Sequence, residues 1–201
     1  MRLIFQPKRE KRPNSANPFL RFRLDFFSLL CYTYFTKFLR GVMQNLLLRI
    51  YSSKKASTSL KIISHTAVAI SVIAYAAVLV YTYMESLLDA AYMLIFSAIP
   101  FIIVTVVRKY INAPRPYELY HFYKNPPKQK RGQSFPSRHV FSAFIIATFS
   151  TTVSIPLAAA LFAVGISLAA SRVLLGMHFI RDTVAGALIG IVSGILGIII
   201  L

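Results

Sequence analysis

The sequence predicts an all-α membrane protein, a polytopic bundle of five or six transmembrane helices with its functional site at helix ends and connecting loops. Hydrophobic residues make up 56% of the 201 residues, and charged residues only 14%. Several apolar runs approach the roughly 20 residues that an α-helix needs to cross about 30 Å of hydrocarbon. Ionisable residues cluster near the ends of those runs, where they are costly to keep and therefore indicate function.

Five apolar runs are predicted to form membrane helices. In chain order they are Leu60–Met84, Leu87–Val107, Val140–Ile155, Pro156–Leu175 and Thr183–Leu201. A short turn at Glu85 separates the first two. The third run is short for a span. The fourth begins with Pro156, which suits the first turn of a helix because no N–H is needed there.

The amino-terminal region is predicted to divide into a basic tail, residues 1–23, and a second segment, residues 24–59. The tail either rests on anionic headgroups or only aids solubility. Within the second segment, Leu24–Tyr51 is interrupted by Lys37 and Arg40, so we favour an amphipathic helix lying in the membrane interface, followed by a basic linker. A sixth, tilted span is the alternative. Residues 60–201 form the predicted transmembrane domain.

The charge balance narrows the class of partner. The chain has 23 Lys and Arg against 6 Asp and Glu. Such a balance suits nucleic acid, an anionic membrane surface or a phosphate-bearing substrate. The apolar runs favour the last two, and no nucleic-acid partner is expected. Cys31 is the only cysteine, which excludes an internal disulfide and a thiolate metal cluster.

Glycines recur every four residues along the last run, at Gly186, Gly190 and Gly194. Small residues at that spacing lie on one face of a helix and let a second helix approach closely. The pattern predicts packing, and no chemistry is assigned to it.

A first polar patch, Arg108–Pro116, follows the second run, and its two prolines end the helix there. Lys and Arg residues commonly anchor the cytoplasmic ends of membrane helices, and this pattern accounts for Arg108 and Lys109. It accounts poorly for Arg115, which lies between two prolines. Taken alone, this patch is weak evidence for a site.

A second patch, Phe135–His139, leads into the third run. Ser137 stands where an N-cap is expected, and a helix amino terminus offers unpaired N–H groups to an anion. His139 in the first turn can donate a proton. An ordinary cap followed by a solvated interfacial histidine explains the patch better when it stands alone.

A third patch, Ser171–Asp182, joins the fourth and fifth runs and contains Arg172, His178 and Asp182. If the backbone is helical, His178 and Asp182 share a face, four residues apart. A carboxylate on one imidazole nitrogen leaves the other nitrogen with an outward lone pair, which is a nucleophile. A structural histidine–aspartate pair is the alternative.

Together the three patches form the complement of a phosphate ester. Each arginine guanidinium can bind two phosphoryl oxygens at once. One histidine can then attack phosphorus while the other protonates the leaving oxygen. Asp182 is committed to His178, and the remaining acids are few, so the chemistry is predicted to need no metal and no cofactor.

In this order the patches resemble the type 2 phosphatidic acid phosphatase family, whose site is shared with vanadium haloperoxidases. The family pattern is Lys, six residues, Arg-Pro; then Pro-Ser-Gly-His; then Ser-Arg, five residues, His, three residues, Asp. This chain has Arg108 and Arg115 in the first motif, and its third motif fits without exception. The resemblance covers about residues 60–201. Within the family, the chain resembles the bacterial membrane-type lipid phosphatases.

The resemblance implies a role for each residue. His178 forms the phosphohistidine, Asp182 orients it, and His139 is the general acid. The residues implied to hold the phosphate are Arg108, Arg115, Ser137, Arg138 and Arg172. Two residues depart from the pattern: Arg108 replaces lysine, and Arg138 replaces a glycine that allows close backbone approach. Arg138 either adds a phosphate contact or narrows the pocket.

The predicted function is hydrolysis of a phosphate monoester or diphosphate on a lipid, such as phosphatidate, phosphatidylglycerol phosphate or polyprenyl diphosphate. A catalytically silent lipid-binding or lipid-transport protein is the alternative. The run Tyr117–Tyr123 suits an interfacial aromatic belt, with a lipid-clamping lid as the second interpretation. Charge counting with five spans places the site inside, whereas the resemblance favours a bacterial cell membrane with the site facing outward.

Overall fold

The computed structural model describes residues 41–120 and 132–200, and within these two ranges every regular element is a helix. The predicted tail, residues 24–40 of the second segment and the end of the run Tyr117–Tyr123 lie outside the described residues. The chain divides into two units, Met1–Met43 and Gln44–Leu201. All described residues except 41–43 belong to the second unit.

The helices follow one another in a simple order. They are α1 (residues 41–52), α2 (Lys54–Glu85), α3 (Leu87–Ile111), α4 (Pro116–Tyr120), α5 (Arg138–Phe149), a 3₁₀ turn (Ser150–Thr152), α6 (Ile155–Leu174) and α7 (Ile180–Ile200).

The predicted fold class, an all-α polytopic membrane bundle, is confirmed, and the helix count agrees approximately. Among the described residues, four helices are long and apolar enough to cross a membrane: α2, α3 with the residues up to Leu119, α6 and α7. Their surfaces carry many exposed Ile, Leu, Val and Tyr side chains. An apolar outer surface of this kind is what a lipid environment requires.

The third predicted span differs most from its expectation. Helix α5 has 12 residues, or about 18 Å at 1.5 Å per residue, which is too short to cross the hydrocarbon. Nine of those residues are buried. The chain tightens into the 3₁₀ turn after Phe149 and becomes extended at Ser154. Helix α5 is therefore a central element enclosed by the longer helices.

The glycines of α7 allow close packing against α5, as the sequence predicted. A Cβ atom on Gly186 would lie 2.5 Å from the carbonyl oxygen of Ser137, and one on Gly190 would lie 2.6 Å from that of Phe141. Both distances are far below van der Waals contact. The two backbones meet along this stripe, so the start of α5 and the start of α7 lie side by side.

Four helices contribute to a cavity at one end of the bundle. His65 in the first half of α2 and Arg108 near the end of α3 line this cavity, together with residues from the start of α5 and the end of α6. The turn between α2 and α3 at Ser86 is therefore at the opposite end. Tyr51 of α1 donates a hydrogen bond to the carbonyl of Leu175 at 2.9 Å, which holds α1 near the loop after α6.

Candidate active site

The three polar patches converge on this cavity, which has a volume of about 530 Å³. We call it the cationic cavity. Its lining residues are His65, Val68, Thr105, Arg108, Lys109, Arg115, Gln133, Arg138, His139, Arg172 and His178. Seven of the eight residues proposed for the site therefore lie in or beside it, counting Asp182 behind His178. Ser137 is the exception: it is fully buried and does not line the cavity.

His178 and Asp182 come together through a turn, which differs from the predicted helical arrangement. Gly176 takes a left-handed conformation with φ of 60°, and α7 begins only at Ile180. Asp182 Oδ2 accepts a hydrogen bond from the N–H of Phe179 at 3.0 Å. His178 Nδ1 lies 3.8 Å from the same oxygen, which is too long for a direct hydrogen bond.

Ser134 fills the space between these two side chains. Its hydroxyl oxygen lies 2.5 Å from Asp182 Oδ2 and 3.3 Å from His178 Nδ1, and the residue is fully buried. Ser134 was not among the residues predicted from the sequence. It lies three residues before Ser137, beside the second patch, but its position resembles that of any loop serine, so only its closeness to a recognised motif could have drawn attention to it.

Arg108 is buried, and its guanidinium donates hydrogen bonds to the carbonyls of Pro136 and Gln133, each at 2.5 Å. These contacts hold the loop that carries Ser134. Arg108 also lines the cationic cavity and adds its positive charge to the wall, although two of its N–H donors already bind the loop carbonyls.

Arg115 binds the same loop from the other side. Its Nε donates to the carbonyl of Gly132 at 3.0 Å, and its guanidinium carbon lies 5.9 Å from the centre of the Tyr117 ring. Glu118 accepts from the N–H of Gly132 at 2.7 Å. Arg115, between its two prolines, therefore both holds the loop at Gly132 and lines the cationic cavity.

Three buried polar atoms at the site make no hydrogen bond within the described residues: Nε of Arg172, the hydroxyl of Ser137 and Oδ1 of Asp182. The last of these lies 3.5 Å from Nε of Arg181, as an ion pair. The Nη1 atom of Arg172 donates to the sulfur of Met177, at 3.4 Å. Ser137 is the N-cap residue of α5 by backbone conformation, but its side chain makes no capping bond. A buried donor left unpaired is costly, and an anion in the cavity would satisfy that of Arg172.

The pKa values of both histidines of the site are lowered, which favours the neutral imidazole. Burial lowers the pKa of His178, and this effect exceeds the opposite effect of Asp182. The pKa of His139 is also lowered, first by desolvation and then by the positive charge of Arg172. Its ring nevertheless opens onto the cavity, so a bound anion would reach it. Neutral His178 is the form that can attack phosphorus.

Among residues 41–120 and 132–200, no three His, Cys, Asp or Glu side chains are grouped so that they could hold a metal ion. Metal independence stays a prediction.

Apolar cavities between α2, α3 and α5 lie next to the cationic cavity. A second cavity of about 240 Å³ shares Val68, Arg138 and His139 with it. A third, of about 370 Å³, shares Phe101 and Ile146 with the second and is almost wholly apolar in its lining. We call these two cavities together the apolar groove.

Comparisons with known proteins agree with this architecture. The family model described as the PAP2 superfamily matches residues 86–201. The fold is similar to the crystal structure of LpxE from Aquifex aeolicus, with 21% identity, a TM-score of 0.60, and coverage of 80% of this chain and 92% of that one.

A second similar structure is that of the first transmembrane PAP2 type phosphatidylglycerolphosphate phosphatase from Bacillus subtilis. It has 19% identity and a TM-score of 0.59, and the match covers 88% of this chain and 92% of that one. At these identities the two structures show the fold alone. No curated protein sequence matches the chain.

Proposed function

Since the chain belongs to the PAP2 superfamily and is an integral membrane protein, we propose that it hydrolyses a phosphate monoester or diphosphate on a lipid. The observation that carries the proposal is that the cationic cavity, which His178 lines, shares wall residues with the apolar groove beside it. A molecule with a phosphate at one end and an apolar chain at the other matches both environments.

The proposed reaction has two steps. His178 faces Ser134 with Nδ1, so Nε2 carries the lone pair that attacks phosphorus. The Nε2–P bond forms, the P–O bond to the lipid breaks, and His139, in the protonated form that the bound anion favours, gives its proton to the departing oxygen. Water then attacks the phosphohistidine, His139 takes the proton of that water, and inorganic phosphate leaves. In the proposed reaction Arg115 and Arg172, which line the cavity, neutralise the phosphoryl oxygens throughout.

We assign Ser134 a positioning role in this reaction. The hydroxyl donates to Asp182 Oδ2 and accepts from the Nδ1–H of His178, so the carboxylate holds the imidazole through the serine. The chain Asp182, Ser134, His178 replaces the direct bond that the sequence predicted. It keeps the tautomer in which Nε2 is unprotonated.

Replacing Ser134 by alanine is expected to lower kcat by about 10- to 100-fold with little change in KM, which is the usual effect of losing an orienting hydrogen bond. The matched control is Ser150→Ala, a buried serine at the far end of α5, which donates to the carbonyl of Ile146. Nitrogen-15 NMR of labelled histidine should show a mixed tautomer for His178 in Ser134→Ala alone. Equal losses in both variants, or an unchanged tautomer, would contradict the positioning role.

The pH optimum of kcat/KM is expected on the acid side of about 6.5, the ordinary pKa of histidine. Neutral His178 is required, and because its pKa is lowered, activity persists to lower pH than an ordinary histidine would allow. Protonated His139 is also required, and its lowered pKa makes activity fall as the pH rises. Rates on a short-chain lipid phosphate across this range test the expectation. His139→Gln should flatten the alkaline limb, and an alkaline optimum would refute the assignment.

Phosphate release from detergent-solubilised lipids tests the function as a whole. The panel contains phosphatidate, phosphatidylglycerol phosphate and a polyprenyl diphosphate, with vanadate as inhibitor and a chelator to test metal independence. Turnover of at least one lipid, blocked by vanadate and unaffected by the chelator, supports the proposal. Lipid binding without turnover would favour the silent lipid-binding alternative. The lipid identity, the anionic headgroup contacts and the membrane face of the cavity remain predictions.

A further inference from the structure

The cationic cavity carries more positive charge than one phosphate group requires. Among the described residues that line it, five are arginine or lysine and none is acidic: Arg108, Lys109, Arg115, Arg138 and Arg172. A phosphate monoester carries a charge of about −1.5 to −2 near neutral pH. Two of these cations, Arg108 and Arg172, are buried, and burying cations without anionic charge is unfavourable, so the wall suits a ligand with a large negative charge.

Arg138 occupies the boundary between the two environments. It lines the cationic cavity and also the first part of the apolar groove. Its guanidinium carbon lies 5.7 Å from the centre of the Phe101 ring, and Phe101 lines both cavities of the groove. Within residues 41–120 and 132–200, no carboxylate pairs with Arg138, so stacking on the ring holds the guanidinium at the boundary without neutralising it.

A bound substrate presents a definite chemical group at this boundary. The transferred phosphoryl lies against His178 and the tail lies in the apolar groove, so the group at Arg138 is the one that follows the transferred phosphoryl. In phosphatidate that group is an uncharged glycerol ester. In a lipid diphosphate it is the inner phosphate, which an arginine fork can bind through two oxygens.

We infer that the preferred substrate is a lipid diphosphate, with Arg138 as the residue that recognises its inner phosphate. This inference rests on the proposed function and narrows its substrate class. His178 attacks the outer phosphorus and the bond from that phosphorus to the bridging oxygen breaks. The bridging oxygen stays on the inner phosphate, so the leaving group is a lipid monophosphate. Arg138 neutralises the charge that develops there, and water later releases inorganic phosphate from His178.

The test uses substrates that differ by one phosphate on the same tail: farnesyl diphosphate against farnesyl monophosphate, and diacylglycerol diphosphate against phosphatidate. Arg138→Met keeps an apolar stem of similar length on Phe101 but removes the charge. It is expected to lower kcat/KM for the diphosphates by about 10- to 100-fold, the effect of losing one charged hydrogen-bonding pair. The monophosphates should lose clearly less than the diphosphates, because they lack the inner phosphate that Arg138 is inferred to bind.

Lys61→Met is the matched control, since Lys61 is an exposed cation of α2 that does not line the cationic cavity. It should leave the ratio of diphosphate to monophosphate turnover unchanged. Arg138→Lys should recover part of the diphosphate turnover that Arg138→Met loses. Equal losses of Arg138→Met on both substrates of a pair, or no preference for the diphosphate in the wild type, would overturn the inference. If the wild type hydrolyses none of the four lipids, the proposed function itself fails, which is a different result.

Discussion

Replacing His178 by asparagine is expected to lower phosphate release by about 10⁴-fold or more, the largest effect of any single change in the cationic cavity. In the proposed mechanism His178 supplies the atom that bonds to phosphorus, and losing a covalent nucleophile would remove the whole two-step route. Asparagine is chosen because the site is buried, with only 3% of His178 exposed. Its amide keeps a polar partner for Ser134, so the surrounding loop has no reason to collapse.

The measurement has two parts. The first is turnover of the best lipid from the panel, and the second is trapping of a radioactive phosphoryl group on the protein by acid-sensitive labelling. The control is His65→Asn, because His65 also lines the cavity but lies on α2, away from Ser134 and Asp182. It should lose less than about tenfold and keep the label. A labelled His178→Asn protein, or one with normal turnover, would show that another residue is the nucleophile.

Replacing Gly190 by alanine is expected to destabilise the bundle by about 1–3 kcal/mol, and a leucine there by more. The new Cβ atom would lie 2.6 Å from the carbonyl oxygen of Phe141 and 3.1 Å from the N–H nitrogen of Ile145. Both contacts are with backbone, which cannot rotate away as a side chain can. Helix α5 must therefore move away from α7. This movement would displace His139, which lies on α5, relative to Asp182, which lies on α7.

Thermal unfolding in detergent measures the loss of stability, and turnover at a temperature where the variant stays folded measures the distortion of the site. Gly41→Ala is the matched control, because Gly41 is a helical glycine and a Cβ atom added to it would meet no described atom within 4 Å outside its own helix. It should be neutral or slightly stabilising, by up to about 1 kcal/mol. A Gly190→Ala protein with an unchanged melting temperature would show that α5 and α7 can separate without loss.

Much of the architecture was predictable because membrane helices have strong local signals. The run around Leu60–Met84 lies within α2, and the runs before Arg108 and after Pro156 coincide closely with α3 and α6. A span of some 20 apolar residues needs no knowledge of its neighbours to be recognised. The third run was harder, since apolar residues buried among protein helices look the same in a sequence as those facing lipid.

The details of the histidine–aspartate pair were not predictable in the same way. The spacing of His178 and Asp182 suited one face of a helix, but Gly176 turns the chain and α7 starts only after Phe179. Ser134, more than 40 residues earlier in the chain, then fits between them. Local spacing contains no information about which distant loop supplies a hydroxyl.

The amino-acid sequence was enough to predict the membrane bundle, the glycine stripe of α7 and the residues from which a phosphate site could be made, because each depends on composition or on spacing within a short segment. Three features required the folded structure: the burial of α5 as a central helix, the position of Ser134 between His178 and Asp182, and the position of Arg138 on the walls of both the cationic cavity and the apolar groove. These features depend on contacts between segments far apart in the chain, and such contacts are set by packing rather than by local pattern.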